Sequence, residues 1–359
     1  MTNIKKLGLS ALAGSLVAVS AQAGEMSVTG SANVTYVTGK NDASGKAIGT
    51  DKDVAFTGSG ELDNGWTFTV STLLTDGYSV SSSYTSMTMG SLGTVSFGTD
   101  TGGANYKYDE EVPQAYEQMS DAQQTTANRI GTIHDSNMIV YNSPSFDFGG
   151  ISASLDLEYS PNANATGSND GGSASLDNNF GSARAAGVTL SYDALKFGVY
   201  GADIDRTTPG TAGQYRDAFE GTWYVNYSFG PVAIGYTESY MDGGSEGSAE
   251  SVDAAKDAAT GNSRTANGFF EGEQVSIAFN VNENFSISYT ESEETYDGQS
   301  NVKGGTEVAD VTQKVEGIQA AYSMGAMSIK AYQIDVTNPA FDENAADKTA
   351  TEIALGLAF

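Results

Sequence analysis

The chain has no cysteine, a single histidine and six prolines, and its 17 lysines and arginines stand against 45 acidic residues. Each shortage closes off a class of protein. Without cysteine there is no disulfide framework, so stability must come from hydrogen bonding, packing or a membrane. A net charge of −28 leaves no basic footprint for phosphate, which argues against nucleic acid as a partner. His134 stands alone, and a lone loop histidine is far more often structural or solvated than catalytic. Phosphate-loop, nucleophile-elbow and His/Cys metal-binding patterns are also missing, so an enzyme is not expected. Beyond residue 23, no apolar run is long enough for a transmembrane helix. That leaves open a membrane β-barrel, which hides its lipid contact in alternate residues.

Residues 1–23 read as a secretory signal peptide. Lys5 and Lys6 precede an apolar run over 7–19, and Ala21-Gln22-Ala23 is a small-x-small cleavage pattern. Its removal would take the net charge from −28 to −30. The remaining 24–359 could hold two soluble domains or one large barrel. Forty-three glycines and 10% aromatics favour a β architecture over disorder or helix bundles.

Alternation runs through nearly all of it. Met26, Val28, Val34 and Tyr36 lie on one face, with Ser27, Thr29, Ser31, Asn33 and Thr35 on the other. Asn64-Gly65 marks a hairpin. After it, Trp66, Phe68 and Val70 alternate with Thr67, Thr69 and Ser71. Later strands are expected over 137–146, 151–159, 188–192, 196–204, 219–229, 232–240, 269–281, 285–295, 312–324, 327–336 and 351–359. The count is sixteen, with short turns on one rim and longer loops on the other, the layout of an antiparallel transmembrane barrel. A soluble sandwich shares the periodicity; the signal peptide, the mostly polar second faces and strands often near ten residues favour the membrane. The strand over 78–89 places small hydroxyl side chains on both faces. Lipid would leave these unsatisfied, so this wall is read as a subunit interface, or else as lumen covered by a loop. Residues 161–184 and 242–268 read as long loops, the second with a short helix over 249–259.

One segment breaks the rhythm. Residues 101–136 lack a strand pattern and carry Asp109, Glu110, Glu111, Glu117 and Asp121 among Tyr106, Tyr108, Tyr116 and several amides. A structureless stretch this long usually has a function; it is expected to fold into the lumen and narrow it.

With these features the chain resembles Gram-negative general diffusion porins, most closely the alphaproteobacterial sixteen-stranded kind. Met89-Gly-Ser-Leu-Gly-Thr-Val-Ser-Phe-Gly98 is similar to the hairpin before their constriction loop. Asn137-Met-Ile-Val-Tyr-Asn-Ser-Pro-Ser-Phe146 resembles the segment after it, and Ile353, Leu355, Leu357 and terminal Phe359 the signature read by the barrel assembly machinery. The resemblance implies a homotrimer in outer-membrane lipid, with one water-filled pore per subunit for passive uptake of small polar solutes. There are two departures. Thr99 and Asp100 stand where a basic residue is expected, and Val112-Pro113-Gln114-Ala115-Tyr116 replaces a Pro-Glu-Phe-Gly-Gly type of motif.

No lysine or arginine occurs between Val54 and Asp100. Glu61, Asp156, Glu158 and Glu352 are expected on the lumen wall. The balancing cations are expected to be Lys330, with Lys314 and Lys52 near the loop rim. A narrow acidic lumen would concentrate cations. Asp109, Glu110 and Glu111 are also weak candidates for calcium, which takes several oxygen ligands, although no complete calcium-loop pattern is present. Alternative readings are a substrate-specific channel using the loop tyrosines and amides, or a closed barrel acting as adhesin or receptor.

Overall fold

The computed structural model describes residues 24–40, 47–99, 105–125, 127, 129–131, 138–163, 180–206, 214–215, 217–243, 245–246, 268–298 and 310–359. The signal peptide, His134 and the short helix expected over 249–259 lie outside them.

Sixteen antiparallel strands close into a barrel. They are β1 (Glu25–Lys40), β2 (Ala47–Glu61), β3 (Thr67–Thr75), β4 (Ser79–Thr88), β5 (Thr94–Thr99), β6 (Met138–Asn142, continued by Phe146–Phe148), β7 (Ile151–Ser160) and β8 (Phe180–Tyr192). There follow β9 (Leu195–Arg206), β10 (Ala218–Phe229), β11 (Val232–Asp242), β12 (Gly268–Asn280), β13 (Phe285–Gly298), β14 (Val311–Met324), β15 (Met327–Thr337) and β16 (Lys348–Ala358). Each strand pairs with its neighbour in sequence, and β16 returns to β1 from Ser31 opposite Ala358 to Lys40 opposite Thr349. Gly30 and Phe359 exchange backbone hydrogen bonds of 2.8 and 2.9 Å across that seam. Closure leaves no open sheet edge, the condition for strands to cross a bilayer. A separate two-residue pairing joins Gln214–Tyr215 to Ser245–Glu246.

The polarity is inverted relative to a soluble protein. Leu157, Val199, Val275, Ile277, Ile318 and Leu357 point outward and are exposed, while Asp156, Gln274, Thr290 and Gln319 point inward and are buried. Burying such polar groups is tolerable only where partners satisfy them. Inside this barrel the partners come from neighbouring strands, as Asn142 for Asp156 and Ser276 for Thr290, and from the segment between β5 and β6.

Two strands differ from the sequence pattern. The stretch expected as one strand over 137–146 is broken at 143–145, because Pro144 has no N–H to pair. Ser143 bridges the gap: its N–H donates to the Leu155 carbonyl at 2.8 Å and its Oγ accepts from the Leu155 N–H at 2.8 Å. The strand expected to begin at 188 begins at Phe180. Its first half sets Gly181, Ala183, Ala185 and Gly187 on one face against Ser182, Arg184 and Ala186 on the other, too little apolar contrast for a period-2 reading to see. The expected β4 is present, with a bulge opposite Leu73 and Leu74.

Candidate functional site: the lumen loop

Between β5 and β6 the described chain forms one helical turn (Asn105–Tyr108), an extended run, and a 3-10 turn (Met119–Asp121) before returning at 129–131. Its backbone is laid along the inner faces of β7 through β16. The Ser276 hydroxyl donates to the Pro113 carbonyl at 2.5 Å, and Ala115 N–H donates to Ser288 Oγ at 2.9 Å. Tyr116 N–H donates to Gln319 Oε1 at 2.9 Å, while Gln319 Nε2 donates to the Glu117 carbonyl at 2.7 Å. Gln123 N–H reaches the Tyr332 hydroxyl at 2.9 Å and Gly131 N–H reaches Glu220 at 2.8 Å. The extended run of this segment thus has backbone groups satisfied by inward side chains of the wall.

The predicted acidic residues are divided among distinct environments. Glu110 is buried; it accepts from Gln274 and lies 3.8 Å from Arg129 Nε. Glu111 pairs with Lys196 at 3.0 Å. Asp109 and Asp121 line a cavity of about 240 Å³ with Asn105, Tyr106, Ser120 and Arg129. Burial, then the neighbouring Glu110, raises the Asp109 carboxyl well above 3.8, against the opposing pull of Arg129. Glu117 is half-buried at the tip. The calcium candidates Asp109, Glu110 and Glu111 are not brought together, since they turn to the cavity, to Gln274 and to Lys196. Among the described residues no acidic, histidine or cysteine group is arranged to hold a metal.

On the wall, Asp156 is 1% exposed and accepts from the Tyr108 hydroxyl at 2.9 Å, from Asn142 at 2.6 Å, and from Lys107. Glu158 accepts from Tyr200 at 3.3 Å. Glu352 accepts from Tyr116 at 2.6 Å and from Tyr332 at 3.3 Å. Burial and the Glu352 acceptor hold the Tyr116 phenol protonated far beyond its usual range. Lys330 sits 5.0 Å from the centre of the Tyr116 ring. Glu61 alone lies apart from the loop, exposed on the inner face of β2 at the short-turn rim.

Tyr108 shows how the wall receives the loop. It is fully buried and stacks on Tyr200 with ring centroids 5.5 Å apart. Gly187 lies beneath it; a methyl there would come within 2.4 Å of the ring, so only glycine leaves room.

The structure corrects the expected cations. Lys314 alternates with Gln313 and Val315 and so faces outward, where it pairs with Glu291, Glu293 and Glu316. Lys52 shares the outward parity of Phe56. Among the described residues the lumen-facing cations include Lys107, Arg129 and Lys196, beside Lys330 and, by its pairing with buried Val336, Lys348. Sequence reading passed over Lys107 and Arg129 although both stand inside 101–136. It also passed over buried Glu220 and Glu294, whose inward parity with Tyr224 and Ser292 was the available signal.

A family model described as Gram-negative porin matches residues 8–359. No curated protein matches the chain. Among solved structures, OmpF of Salmonella typhi in complex with daunomycin is similar with a TM-score of 0.65 at 11% identity, over 94% of this chain and 98% of that one. OmpT of Vibrio cholerae in its trimer form gives 0.61 at 11%, over 94% and 100%. An anion-selective porin from Comamonas acidovorans gives 0.59 at 14%, over 94% and 100%. At such identities the likeness is one of fold, and the last shows that this fold also serves anions.

Proposed function

The chain belongs to the Gram-negative porin family, a family of outer-membrane channels rather than enzymes, and from that premise we propose that it is a cation-selective pore for small hydrophilic solutes, narrowed by the loop over 101–136. One observation carries the selectivity. The bare wall opposite the loop, β1 to β5, turns no lysine or arginine inward among the described residues: Lys40 and Lys52 face outward, while Asp51, Asp53 and Glu61 face the lumen. On the loop side, Lys107, Lys196 and Arg129 are each engaged by Asp156, Glu111 and Glu110, while Lys330 lies over the Tyr116 ring and Lys348 shares the inward face of Glu352. Glu117 and Asp121 add further negative charge to the space between, joined by Asp109 where its raised carboxyl ionises. A lumen with that excess concentrates cations by its field.

The test is the reversal potential across a planar bilayer under a salt gradient. A cation preference that weakens at high ionic strength is expected, because the Debye length shrinks to about 3 Å at 1 M; an anion preference ends the proposal. A second reading, a substrate-specific channel, is favoured by the cavity beside Tyr106, Asp109 and Asp121. Liposome swelling separates the two: rates falling smoothly with solute size mean a general pore, and saturation by one class means specificity. A homotrimer is part of the proposal, supported by the outward hydroxyls Ser83 and Thr85 on β4 and by the trimer form of the Vibrio relative. Phe359, closing the seam against Gly30, supports reading the last strand as the segment handed to the assembly machinery.

A further inference from the structure

Glu110 and Arg129 stand on opposite arms of the loop, yet both side chains enter one slot in the wall. Arg129 donates from Nη1 to Ser239 Oγ at 2.9 Å and from Nη2 to Ser292 Oγ at 2.8 Å, so its guanidinium spans β11 to β13. Glu110 meets it there, with one oxygen 3.8 Å from Arg129 Nε and the other accepting from Gln274 of β12. Arg129 is 6% exposed and Glu110 5%. The floor of the slot is Gly272 of β12; a Cβ built there would lie 1.5 Å from Nη1. A side chain at that position would push the guanidinium out of this seat.

The backbone supplies an independent observation. Glu110 has φ of +44°, in the left-handed region where glycine is the default and a side chain is strained. Strain of this kind persists where the surroundings fix it and the side chain has a task. Here it turns the carboxylate into the slot. Two buried opposite charges hold each other in place strongly, because removing either leaves the other buried without compensation.

We infer that Glu110 and Arg129, seated over Gly272, form a clasp that ties both arms of the loop to the β11–β13 wall and thereby sets the aperture of the lumen. They are positioning residues: their charged groups are engaged with each other and with Gln274, Ser239 and Ser292 of the wall. Released from the slot, the arms stand off the wall toward β1–β5, and the passage narrows and fluctuates. The inference rests on the loop narrowing the lumen and is independent of which ion the lumen prefers.

The full-length protein in planar bilayers and in liposomes provides the test, with Arg129→Ala, Gly272→Ala and their combination. Arg129→Ala removes the guanidinium; Gly272→Ala leaves both charges intact and fills their seat. Each should lower the ratio of raffinose to arabinose swelling rates about twofold and add current fluctuations. The combination should do no more than either alone, since both break one contact. The heat-modified electrophoretic mobility of the barrel should stay as in the parent chain, a result that separates positioning from loss of folding. Ser239→Ala with Ser292→Ala keeps the charges and the seat and removes only the accepting hydroxyls; it should give the same change in smaller degree and serves if a stronger variant does not fold. Parental swelling ratios and quiet currents in Gly272→Ala or in the double serine variant would overturn the clasp, as would additive effects. Reversal potentials from the same recordings report on cation selectivity separately, so the two ideas fail on different readouts.

Discussion

Two parts of this barrel share one strand geometry and differ in almost everything that faces inward. From β7 to β16 the inner wall is a docking surface: buried acids, tyrosines and serines hold the loop, and glycine appears where a loop side chain comes closest. From β1 to β5 the inner wall is hydroxyls such as Thr57, Thr69 and Ser71, with Asp51, Asp53 and Glu61. The hydrogen bonds that hold the loop backbone, from Ser276, Ser288, Gln319, Tyr332 and Glu220, all come from the other wall. Strand length does not follow this division: β1 and β2 run 16 and 15 residues beside β3 and β5 at 9 and 6, and β12 to β14 run 13 or 14. The lesson is that one alternating pattern supports two uses of an inner face. Large residues matched to a partner segment make it a packed interior, and small hydroxyls facing water make it a channel wall.

That contrast can be broken most forcefully at Tyr108. Tyr108→Ala would leave a cavity against Tyr200 and Gly187 and strip Asp156 of a donor. Large-to-small changes at buried aromatic sites cost about 3–5 kcal/mol, and thermal unfolding in detergent should show it. If the midpoint does not move, the loop side is not a packed interior.

A smaller effect sharpens the same comparison. Gly187→Ala places a methyl against the Tyr108 ring and should cost about 1–3 kcal/mol by overpacking. Thr69→Ala on the bare wall should stay within about 0.5 kcal/mol, as surface substitutions do. Equal shifts in the two midpoints would erase the distinction between the walls.

The smallest expected effect is the pH response of Asp109. Its carboxyl is raised above 3.8 in the folded chain, so its contribution to stability is fully present below the unfolded value and is lost as pH rises through the folded one. Cation selectivity should move the opposite way, strengthening over the same window as the carboxylate ionises beside the cavity. Asp109→Asn should flatten both trends in that interval; reversal potentials and unfolding midpoints followed from pH 4 upward check it.

Much of the architecture was legible in advance because it is local. Hydrophobic alternation marked the strands, Asn64-Gly65 a hairpin, and the interruption at 101–136 the segment that enters the lumen. The failures have specific causes. Gly181, Ala183, Ala185 and Gly187 offered no apolar contrast, so the first half of β8 passed for loop. Lys314 was assigned to the lumen although its own alternation with Gln313 and Val315 put it outside. Lys107 and Arg129 were overlooked because the carboxylates around them are more numerous, and their partners Asp156, Ser239 and Ser292 lie far away in the chain.

The sequence by itself determined the barrel, its acidity, the absence of disulfides and which segment would interrupt the wall, since a period-2 pattern and a run without one are properties of neighbouring residues. Only the tertiary structure decided which carboxylates meet a cation, which are buried as anchors and which face the open lumen. Those outcomes depend on where closure of the sheet brings Glu110, Arg129 and Gly272 together, and no spacing along the chain encodes a contact that exists only after sixteen strands have come into register.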